Sequence, residues 1–319
     1  MLDRVQVDAT DTNMKISPLC LVAALLTGGF SPSLAQLYSE NIVGYINLTV
    51  QPGLNLIVNQ LRSIDDLSYF MPSVPDGTVV FRFNPVTQSY QNGVTFLAGI
   101  GWYPSSGNTN DLVKRIPVGE GFFLHIPAGS GFTNLTFVGE VVLVSDLPLP
   151  WNYSLKGSVV PQADSLDNLG FPAAPGDRVY QWDVALQRFR IPSVFSDSNG
   201  WQPDQPRVRV GEGFLLFSDP ALASPNRVWH RSFVIGPSPL PVSVGTKSLV
   251  VAPSITRLLL SEGNVTLQVN SPGGGAYDVE SSDDGVTWNT LAEKQAGATW
   301  TAPFRSGAKG YFRLSNSKS

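Results

Sequence analysis

Two glutamates are the residues of this sequence whose type and spacing could do chemistry. Glu120 and Glu212 each lie between two glycines, in the matching stretches Val118–Leu124 and Val210–Leu216. If a two-lobed protein brought these carboxylates close together, their pKa values would split and they could act as an acid and a base. The main interpretation is structural, because a Gly-Glu-Gly sequence forms a tight turn whose carboxylate can accept backbone N–H bonds. A glycoside hydrolase that uses Glu120 and Glu212 is kept as a distant alternative.

The repeated motif predicts a turn followed by a buried strand. Its residues are Gly119, Glu120, Gly121 and Phe122 in the first copy, and Gly211, Glu212, Gly213 and Phe214 in the second. The aromatic and aliphatic residues that follow each second glycine indicate the strand. If φ is positive at Gly121 and Gly213, alanine at either position should cost about 1 kcal/mol or more.

The histidines and aspartates do not form a recognisable metal or catalytic motif. His125 and His230 are the only histidines, too few for a histidine-based metal site, and neither accompanies a Ser or Cys nucleophile motif. Residues 197–200 and 283–285 could offer oxygens to calcium, but they lack the spacing of an EF-hand and Asp-Gly is ordinary turn chemistry. The sequence therefore predicts no catalytic residue and no cofactor, with calcium as an alternative.

Tryptophan is the residue type most suited to a ligand. Trp102 and Trp201 are candidate ligand aromatics, because an indole plane can stack on the C–H face of a sugar ring. They lie 99 residues apart, each after a glycine, and recurrence of this kind favours a packing role that each copy needs for itself. We therefore expect both indoles to be buried as anchors of their loops.

Composition points to many short strands. The chain has 319 residues, of which 14% are charged, with 30 Gly and 25 Pro. Abundant turn residues and few charges are typical of strands joined by turns. The net charge of −4 gives no basic face for nucleic acid or for an anionic membrane.

The amino-terminal region has the pattern of a targeting segment. Lys15 precedes the apolar run Leu19–Leu26, and Ser33-Leu34-Ala35 has the small-x-small pattern of a cleavage site. The sequence predicts a signal peptide at residues 14–35, with residues 1–13 a mis-called upstream extension and Gln36 the first residue of a secreted chain. The apolar run is too short to span a membrane. Cleavage would also remove Cys20, the only cysteine, so the mature chain would have no disulfide.

An internal duplication sets the domain prediction. Two stretches of the chain match at one offset, which aligns Val80, Phe81, Phe83, Gln88, Tyr90 and Trp102 with Val179, Tyr180, Trp182, Gln187, Phe189 and Trp201. Earlier in each copy, Leu54-Asn55-Leu56 is aligned with Trp151-Asn152-Tyr153. We predict β module 1 at residues 36–141, β module 2 at 142–236, a proline-rich linker at 237–247 and a β-sandwich at 248–319. The predicted fold class is all-β, with two related tandem modules of sandwich or barrel-like type followed by an immunoglobulin or fibronectin-III-like sandwich.

The paired modules resemble a β-rich module common in secreted proteins of Gram-negative bacteria. The resemblance is carried by Leu54–Ile57, Phe81–Asn84 and Gly119–Leu124, and in the second copy by Trp151–Tyr153, Tyr180–Asp183 and Gly211–Leu216. It covers most of residues 40–236 and departs from the family pattern at Ser154. The resemblance implies an extracellular or surface setting and brings no known catalytic residue.

The carboxyl-terminal stretch has two resemblances. Residues 277–288 with 311–314 are similar to the fibronectin-III-like module that often ends such proteins. Ser281, Asp283, Gly285 and Trp288 also resemble the Asp-box hairpin of sialidase-type propellers. That resemblance implies a structural turn in which the aspartate binds turn amides and the tryptophan packs below. One copy cannot form a propeller, so no sialidase activity is predicted.

Taken together, these patterns predict a secreted, non-enzymatic protein of structural or adhesion type, located outside the cell or on its outer surface. The alternative is an accessory protein that binds polysaccharide through exposed aromatics. An exposed, coplanar row of aromatic rings would favour the alternative, and a cleft that holds both glutamates would favour the hydrolase. The expected partners are an extracellular polysaccharide or other surface proteins, with the oligomeric state left open.

Overall fold

The computed structural model describes residues 41–62, 67–71, 74–107, 116–130, 133–233, 252–261, 263–272, 274–303 and 309–316. The upstream extension, the signal peptide with Cys20, the linker and the turn at Ser63 lie outside the described residues, so these predictions are untested. Residues 36–319 form one compact unit. Within the described ranges, no helix is long and apolar enough to cross a membrane.

The prediction of an all-β fold is confirmed. Module 1 contains β1 (Val43–Val50), β2 (Gly53–Val58), β3 (Leu61–Arg62), the helical turn α1 (Leu67–Phe70), β4 (Val79–Asn84), β5 (Ser89–Tyr90), β6 (Val94–Leu97), β7 (Gly101–Pro104), β8 (Gly121–Ile126) and β9 (Thr133–Val141). Module 2 contains β10 (Val144–Pro148), β11 (Asn152–Lys156), β12 (Asp164–Ser165), β13 (Arg178–Asp183), β14 (Arg188–Phe189), β15 (Ser193–Ser196), β16 (Gly200–Gln202), β17 (Arg207–Val208), β18 (Phe214–Ser218) and β19 (Val228–Ser232). The carboxyl-terminal region contains β20 (Ser254–Ser261), β21 (Asn264–Asn270), β22 (Tyr277–Ser282), β23 (Asn289–Gln295), β24 (Thr299–Pro303) and β25 (Lys309–Asn316).

The main sheets of the two modules have the same strand order. In module 1 the order is β2-β8-β4-β6-β7, with β5 paired to β4, and in module 2 it is β11-β18-β13-β15-β16, with β14 paired to β13. Both sheets are antiparallel and open. Their registers also agree, since Val80 faces Val94 in one sheet and Val179 faces Ser193 in the other. Each sheet therefore places its Gly-Glu-Gly bend at the start of an inner strand, β8 or β18.

The sequence alignment of β2 with β11 was wrong by two residues. Ile57 lies opposite Phe122, and Lys156 lies opposite Phe214, so Ile57 and Lys156 hold equivalent positions in the two sheets. The shared Asn in Leu54-Asn55-Leu56 and Trp151-Asn152-Tyr153 suggested a different pairing. The structural equivalence has the same 99-residue offset as Val80 and Val179 of β4 and β13, and it makes Ser154 the counterpart of Asn55, both of them buried.

A third large sheet joins module 1 to the carboxyl-terminal region. Its order is β23-β22-β25-β1-β9-β3, so β1 pairs with β9 on one side and with β25 on the other. Ile46 and Val50 of β1 belong to the core of module 1, whereas Val43 and Tyr45 belong to the core of the sandwich. The sandwich opposes this sheet with β20-β21-β24. The sequence division at the linker did not anticipate that one strand would serve two cores.

Reciprocal glycine–tyrosine pairs bring β1 and β25 together. Tyr45 lies opposite Gly310, and Gly44 lies opposite Tyr311. A Cβ on Gly310 would lie 2.4 Å from the ring of Tyr45, and one on Gly44 would lie 2.7 Å from the oxygen of Gly310. Each tyrosine therefore covers a glycine of the facing strand, an arrangement that packs aromatic surface where the strand has no side chain.

Candidate functional site

The two Gly-Glu-Gly bends meet at the contact between module 1 and module 2, which we call the seam. Glu120 forms an isolated β-bridge with Lys156, and Glu212 forms one with Ile57. Because Ile57 and Lys156 are equivalent positions, the same contact is made twice, once in each direction. The modules therefore pack about an approximate twofold axis that passes through the seam.

Backbone hydrogen bonds repeat this symmetry. The Val58 N–H donates to the oxygen of Gly211 at 3.0 Å, and the equivalent Gly157 N–H donates to the oxygen of Gly119 at 3.2 Å. A Cβ on Gly157 would lie 2.7 Å from the Cβ of Val58. The seam thus has room for one branched side chain at this pair of positions, and module 1 supplies it.

Two glutamines clamp the modules from opposite sides. Gln187 accepts from the Leu54 N–H at 2.7 Å and donates to the Leu54 oxygen at 3.1 Å. The equivalent Gln88 accepts from the Tyr153 N–H at 3.0 Å and donates to the Tyr153 oxygen at 2.9 Å. Both glutamines have left-handed backbone, with φ of 53° at Gln88 and 50° at Gln187. In each module the turn after β4 or β13 therefore places a glutamine amide against β11 or β2 of the other module.

A third amide is buried in the seam itself. Gln60 is 1% exposed, and its Nε2 donates to the oxygens of Ser158 and Val160, each at 3.0 Å. Its Oε1 accepts from the Gly211 N–H at 2.6 Å. All of these partners belong to module 2, so a side chain of module 1 satisfies backbone groups of module 2 that water cannot reach.

The glycines of the bends differ in what they do. Gly119 and Gly211 have left-handed φ of 82° and 78°, which favours glycine. Gly121 and Gly213 lack a positive φ, so the condition under which left-handed backbone would require glycine there is not met. They are required by close approach instead: a Cβ on Gly213 would lie 2.9 Å from the oxygen of Ile57.

Glu120 is held by an ion pair. Arg82 donates to its two carboxylate oxygens through Nε at 2.6 Å and Nη2 at 2.9 Å, a two-point geometry that fixes the carboxylate. The side chains are 17% and 21% exposed. Lys156 lies on the other side of Glu120 across the seam. Burial lowers the pKa of Lys156 to about 8, while the charge of Glu120 acts in the opposite direction.

Glu212 has a different environment, although its position is equivalent. Its carboxylate accepts from the Arg209 N–H at 3.0 Å and from Nε2 of Gln181 at 3.3 Å. Burial raises the pKa of Glu212, and the bond from Arg209 lowers it by less. Gln181 occupies the place that Arg82 has in module 1, so the two glutamates share a backbone position but not a charge partner. Each carboxylate is therefore bonded to groups of its own module.

The remaining titratable groups do not gather into a site. His230 Nδ1 lies 2.7 Å from Asp146 Oδ1 on the surface, and His125 lies on β8 opposite Leu54 and Val79. Within the described ranges, no group of three or more His, Cys, Asp or Glu side chains is placed to hold a metal ion.

Trp102 and Trp201 are buried, at 4% and 5% exposed. Each packs edge-on against a phenylalanine of the neighbouring strand: Trp102 against Phe96 at 5.5 Å, and Trp201 against Phe195 at 5.2 Å between ring centroids. Trp201 also donates from Nε1 to Oδ1 of Asp167 at 2.9 Å. Indoles in this position anchor the β6–β7 and β15–β16 hairpins.

Sequence reasoning missed an aromatic band that crosses the seam. Successive ring contacts are Tyr90–Phe123 at 6.1 Å, Phe123–Trp182 at 4.9 Å, Trp182–Phe189 at 4.9 Å, Phe189–Tyr180 at 6.2 Å, Tyr180–Tyr153 at 6.3 Å and Tyr153–Phe217 at 5.0 Å. The middle of the band is packed between the modules, whereas Tyr90 at one end and Tyr153 near the other are 51% and 38% exposed. The alternation of Arg178, Tyr180 and Trp182 along one strand was the available signal.

The module 2 end of the band forms an aromatic shelf, which consists of Tyr153, Tyr180 and Phe217 with Arg178. The guanidinium of Arg178 lies 5.4 Å from the centre of the Phe217 ring. The rings are tilted by about 50° to one another (51° between Tyr153 and Tyr180), so they do not form a coplanar row. The equivalent positions in module 1 are Leu54, Phe81, His125 and Val79, so the shelf is a feature of module 2 alone.

The Asp-box-like turn follows β22, but its central aspartate is Asp284 and the assignment to Asp283 was wrong. Asp284 Oδ1 accepts from the N–H groups of Val286 and Thr287, each at 2.7 Å, and from the Ser282 hydroxyl at 2.8 Å. These bonds hold the pKa of the Asp284 carboxyl far below its usual value.

The other predicted members of this turn have separate surroundings. Gly285 has φ of 79°, and a Cβ there would lie 2.6 Å from the ring of Phe233. Trp288 packs against the core of module 1 with Arg313 4.2 Å above its ring. Ser281 and Asp283 line a cavity of the sandwich. The turn therefore joins the sandwich to the end of module 2.

The fold and the seam together define an all-β protein of three β units packed into one body, whose repeated motif builds the contact between units. No protein-family model matches the chain, and no curated protein matches it.

Proposed function

We propose that this protein is a secreted, non-enzymatic component of the outer cell surface, of structural or adhesion type, built from a duplicated β module. The observation that carries the proposal is the seam. Its glutamines and glycines hold one module against the other, the backbone of each glutamate forms a bridge across the contact, and each carboxylate is bonded within its own module. A protein whose repeated motif serves packing between units is suited to bearing load or presenting a surface.

The seam also argues against the hydrolase. A retaining or inverting glycosidase needs one carboxyl group that protonates a leaving group and a second that faces the reacting sugar carbon. Glu120 is occupied by Arg82 through both of its oxygens, and Glu212 is occupied by a backbone N–H and Gln181. Both carboxylates lie against strands of the other module, where a sugar would have to displace β2 or β11.

Localisation and gene deletion test this proposal. We expect an antibody against residues 41–233 to label intact cells of the native host, and deletion of the gene to reduce attachment between cells or to a surface. A complementing chain with a matched seam substitution, Gln60→Leu, should restore attachment poorly if the packed body is what matters. Labelling only after lysis would contradict the proposal.

A direct assay separates this role from catalysis. The purified chain should hydrolyse none of a panel of aryl glycosides above the uncatalysed rate. Turnover that Glu120→Gln and Glu212→Gln each abolish, with folding intact, would establish the hydrolase instead.

The second candidate function is polysaccharide binding, and the aromatic shelf is the observation that favours it. The shelf presents partly exposed rings beside an arginine on one sheet face, and its four residues differ from their module 1 counterparts. Aromatic rings next to a guanidinium suit a sugar that carries a carboxylate. On an array of acidic and neutral glycans, Tyr153→Ala should lower binding, whereas Tyr103→Ala, at an exposed tyrosine outside the shelf, should not. Equal binding by both variants would remove this candidate.

A further inference from the structure

A cavity of about 310 Å³ opens between the two sheets of the sandwich, at the edge where β24 faces β1 and β25. Aromatic residues form much of its wall: Tyr45, Trp300, Tyr311 and Phe312. Tyr45, Trp300 and Phe312 belong to the core of the sandwich, and Tyr311 belongs to the core of module 1, so each wall residue is packed in place. The cavity is therefore a preformed concave site.

The carboxylate of Asp283 lies at this cavity and does not stabilise the turn next to it. Asp283 lines it and is exposed, and the turn that follows β22 is stabilised by Asp284 instead. Within the part of the chain that the structure describes, Asp283 makes no hydrogen bond. Burial is the larger cause that raises the pKa of the Tyr45 phenol, and the negative charge of Asp283 raises it further. The carboxylate of Asp283 therefore lies near the aromatic wall.

The cations of the neighbouring strand already have partners. Lys309 donates from Nζ to the oxygen of Pro161 at 3.0 Å and lies 5.5 Å from the centre of the Tyr311 ring. Arg313 is paired with Glu280 at 2.6 Å and stacks on Trp288. Among the described residues, neither basic residue of β25 forms an ion pair with Asp283.

The lining is suited to one chemical class of ligand. Aromatic faces and a carboxylate both attract a cation, and apolar wall residues such as Val265 and Leu291 suit an alkyl stem. A neutral sugar would need several hydrogen-bonding groups, but the Ser282 hydroxyl is already used by Asp284 and by the Gly285 N–H at 2.8 Å. An anion would be repelled by Asp283.

We propose that this cavity binds an alkylammonium group, held by Asp283 and by the aromatic wall of Tyr45 and Trp300. The group could be carried by a lysine side chain of another protein or by a small quaternary amine, since both present a cation on an apolar stem. This inference does not depend on the proposed function, because a structural protein and a polysaccharide binder could each have such a site.

Calorimetric titration of the full chain tests the proposal with three ligands. Choline and the methylamide of Nα-acetyl-lysine carry the cation, and 3,3-dimethylbutan-1-ol is the neutral isostere of choline. We expect one of the two cations to bind, with the neutral isostere at least about tenfold weaker. Which cation saturates the site identifies the source of the group.

Substitutions locate the site. Asp283→Asn should weaken cation binding by about tenfold or more. Asp204→Asn removes an exposed carboxylate from module 2 and should leave binding unchanged. Thermal unfolding of both variants checks that the fold is kept. Equal binding of the neutral isostere, no effect of Asp283→Asn, or no saturable binding of either cation at about 50 mM would each overturn the proposal.

Discussion

At the scale of single residues, Trp201 combines burial with a satisfied polar atom. It is 5% exposed, packs on Phe195, and its Nε1 is bonded to Asp167. Trp201→Ala should remove this packing and leave a cavity, at a cost of about 3–5 kcal/mol, because truncating a buried tryptophan has that typical effect. The measurement is the free energy of unfolding in urea. Tyr103→Ala, at a 38% exposed ring, should change it much less, and equal effects would contradict the anchor role.

Lys156 gives a prediction for pH. Its pKa is about 8 in the folded chain against 10.5 for the free group, so between these values the unfolded state binds more protons. Stability should therefore rise as pH increases from about 8 towards 10.5, and the unfavourable burial of the charge is greatest below pH 8. Lys156→Met should raise the melting temperature at pH 7 and flatten the rise above pH 8.

The Lys156→Met substitution leaves no unpaired charge, because Glu120 keeps its ion pair with Arg82. Lys294→Met, at an exposed lysine, is the control and should change neither the melting temperature nor its pH dependence. A lower melting temperature for Lys156→Met at pH 7 would mean that the attraction to Glu120 exceeds the cost of burial.

Residue types alone could predict that the repeated tryptophans are buried, but not which of two aspartates stabilises the turn after β22. The recurrence of tryptophan at one offset indicated a packing role, and the burial agrees with it. Two consecutive aspartates at 283 and 284 left the turn assignment open to error, because either could reach the turn amides. The Ser282 hydroxyl and the backbone direction select Asp284, and neither is readable from spacing.

At the scale of elements, the bends depend on close approach between modules. Gly213→Ala should push β2 away from the bend, since its Cβ would lie 2.9 Å from a backbone oxygen that cannot rotate aside. We expect a loss of about 1–3 kcal/mol, as for other overpacked sites. Gly275→Ala is the matched control, because that glycine has open space around it and should tolerate alanine. Equal stability of the two variants would show that the strands at the seam can separate enough to fit the added Cβ at little cost in free energy.

Strands were predictable where alternation and turn residues were strong. Within the sandwich predicted at residues 248–319, the sequence favours short strands at 265–269, 277–281 and 299–302, and these correspond to β21, β22 and β24 within one or two residues at each end. The counterpart of β2 was placed incorrectly because a shared Asn outweighed the register. Register is determined by hydrogen bonds to β8 and β18, and a short sequence match does not report them.

At the scale of the whole molecule, the sandwich and module 1 depend on each other through β1. A chain that ends at Phe233 would leave the β25 side of β1 unpaired and would expose Val43 and Tyr45. We expect this truncation to lower the melting temperature and to promote association, because an unpaired apolar strand edge is a template for another chain. Calorimetry and size-exclusion chromatography measure both effects.

The intact chain over residues 36–319 should unfold in one calorimetric transition, as closely packed units with shared cores do. Two well-separated transitions, one of them unchanged by the truncation, would show that the sandwich is independent. The sequence suggested independence because a proline-rich stretch precedes β20. Pairing between strands so distant in the chain has no local signal, which is why it could not be predicted.

The position of β25 also has a consequence for the order of folding during synthesis. β1 is among the first strands to leave the ribosome, and β9 can pair with it early, but its other neighbour is the last strand described in the chain. Closing so long a loop is slow, so the final pairing sets the time at which the fold is complete. Until then β1 keeps an open edge and Tyr45 has no Gly310 to cover. An unfinished chain that lacks β25 therefore has open edges on β1 and β22, where a chaperone or a protease could recognise it.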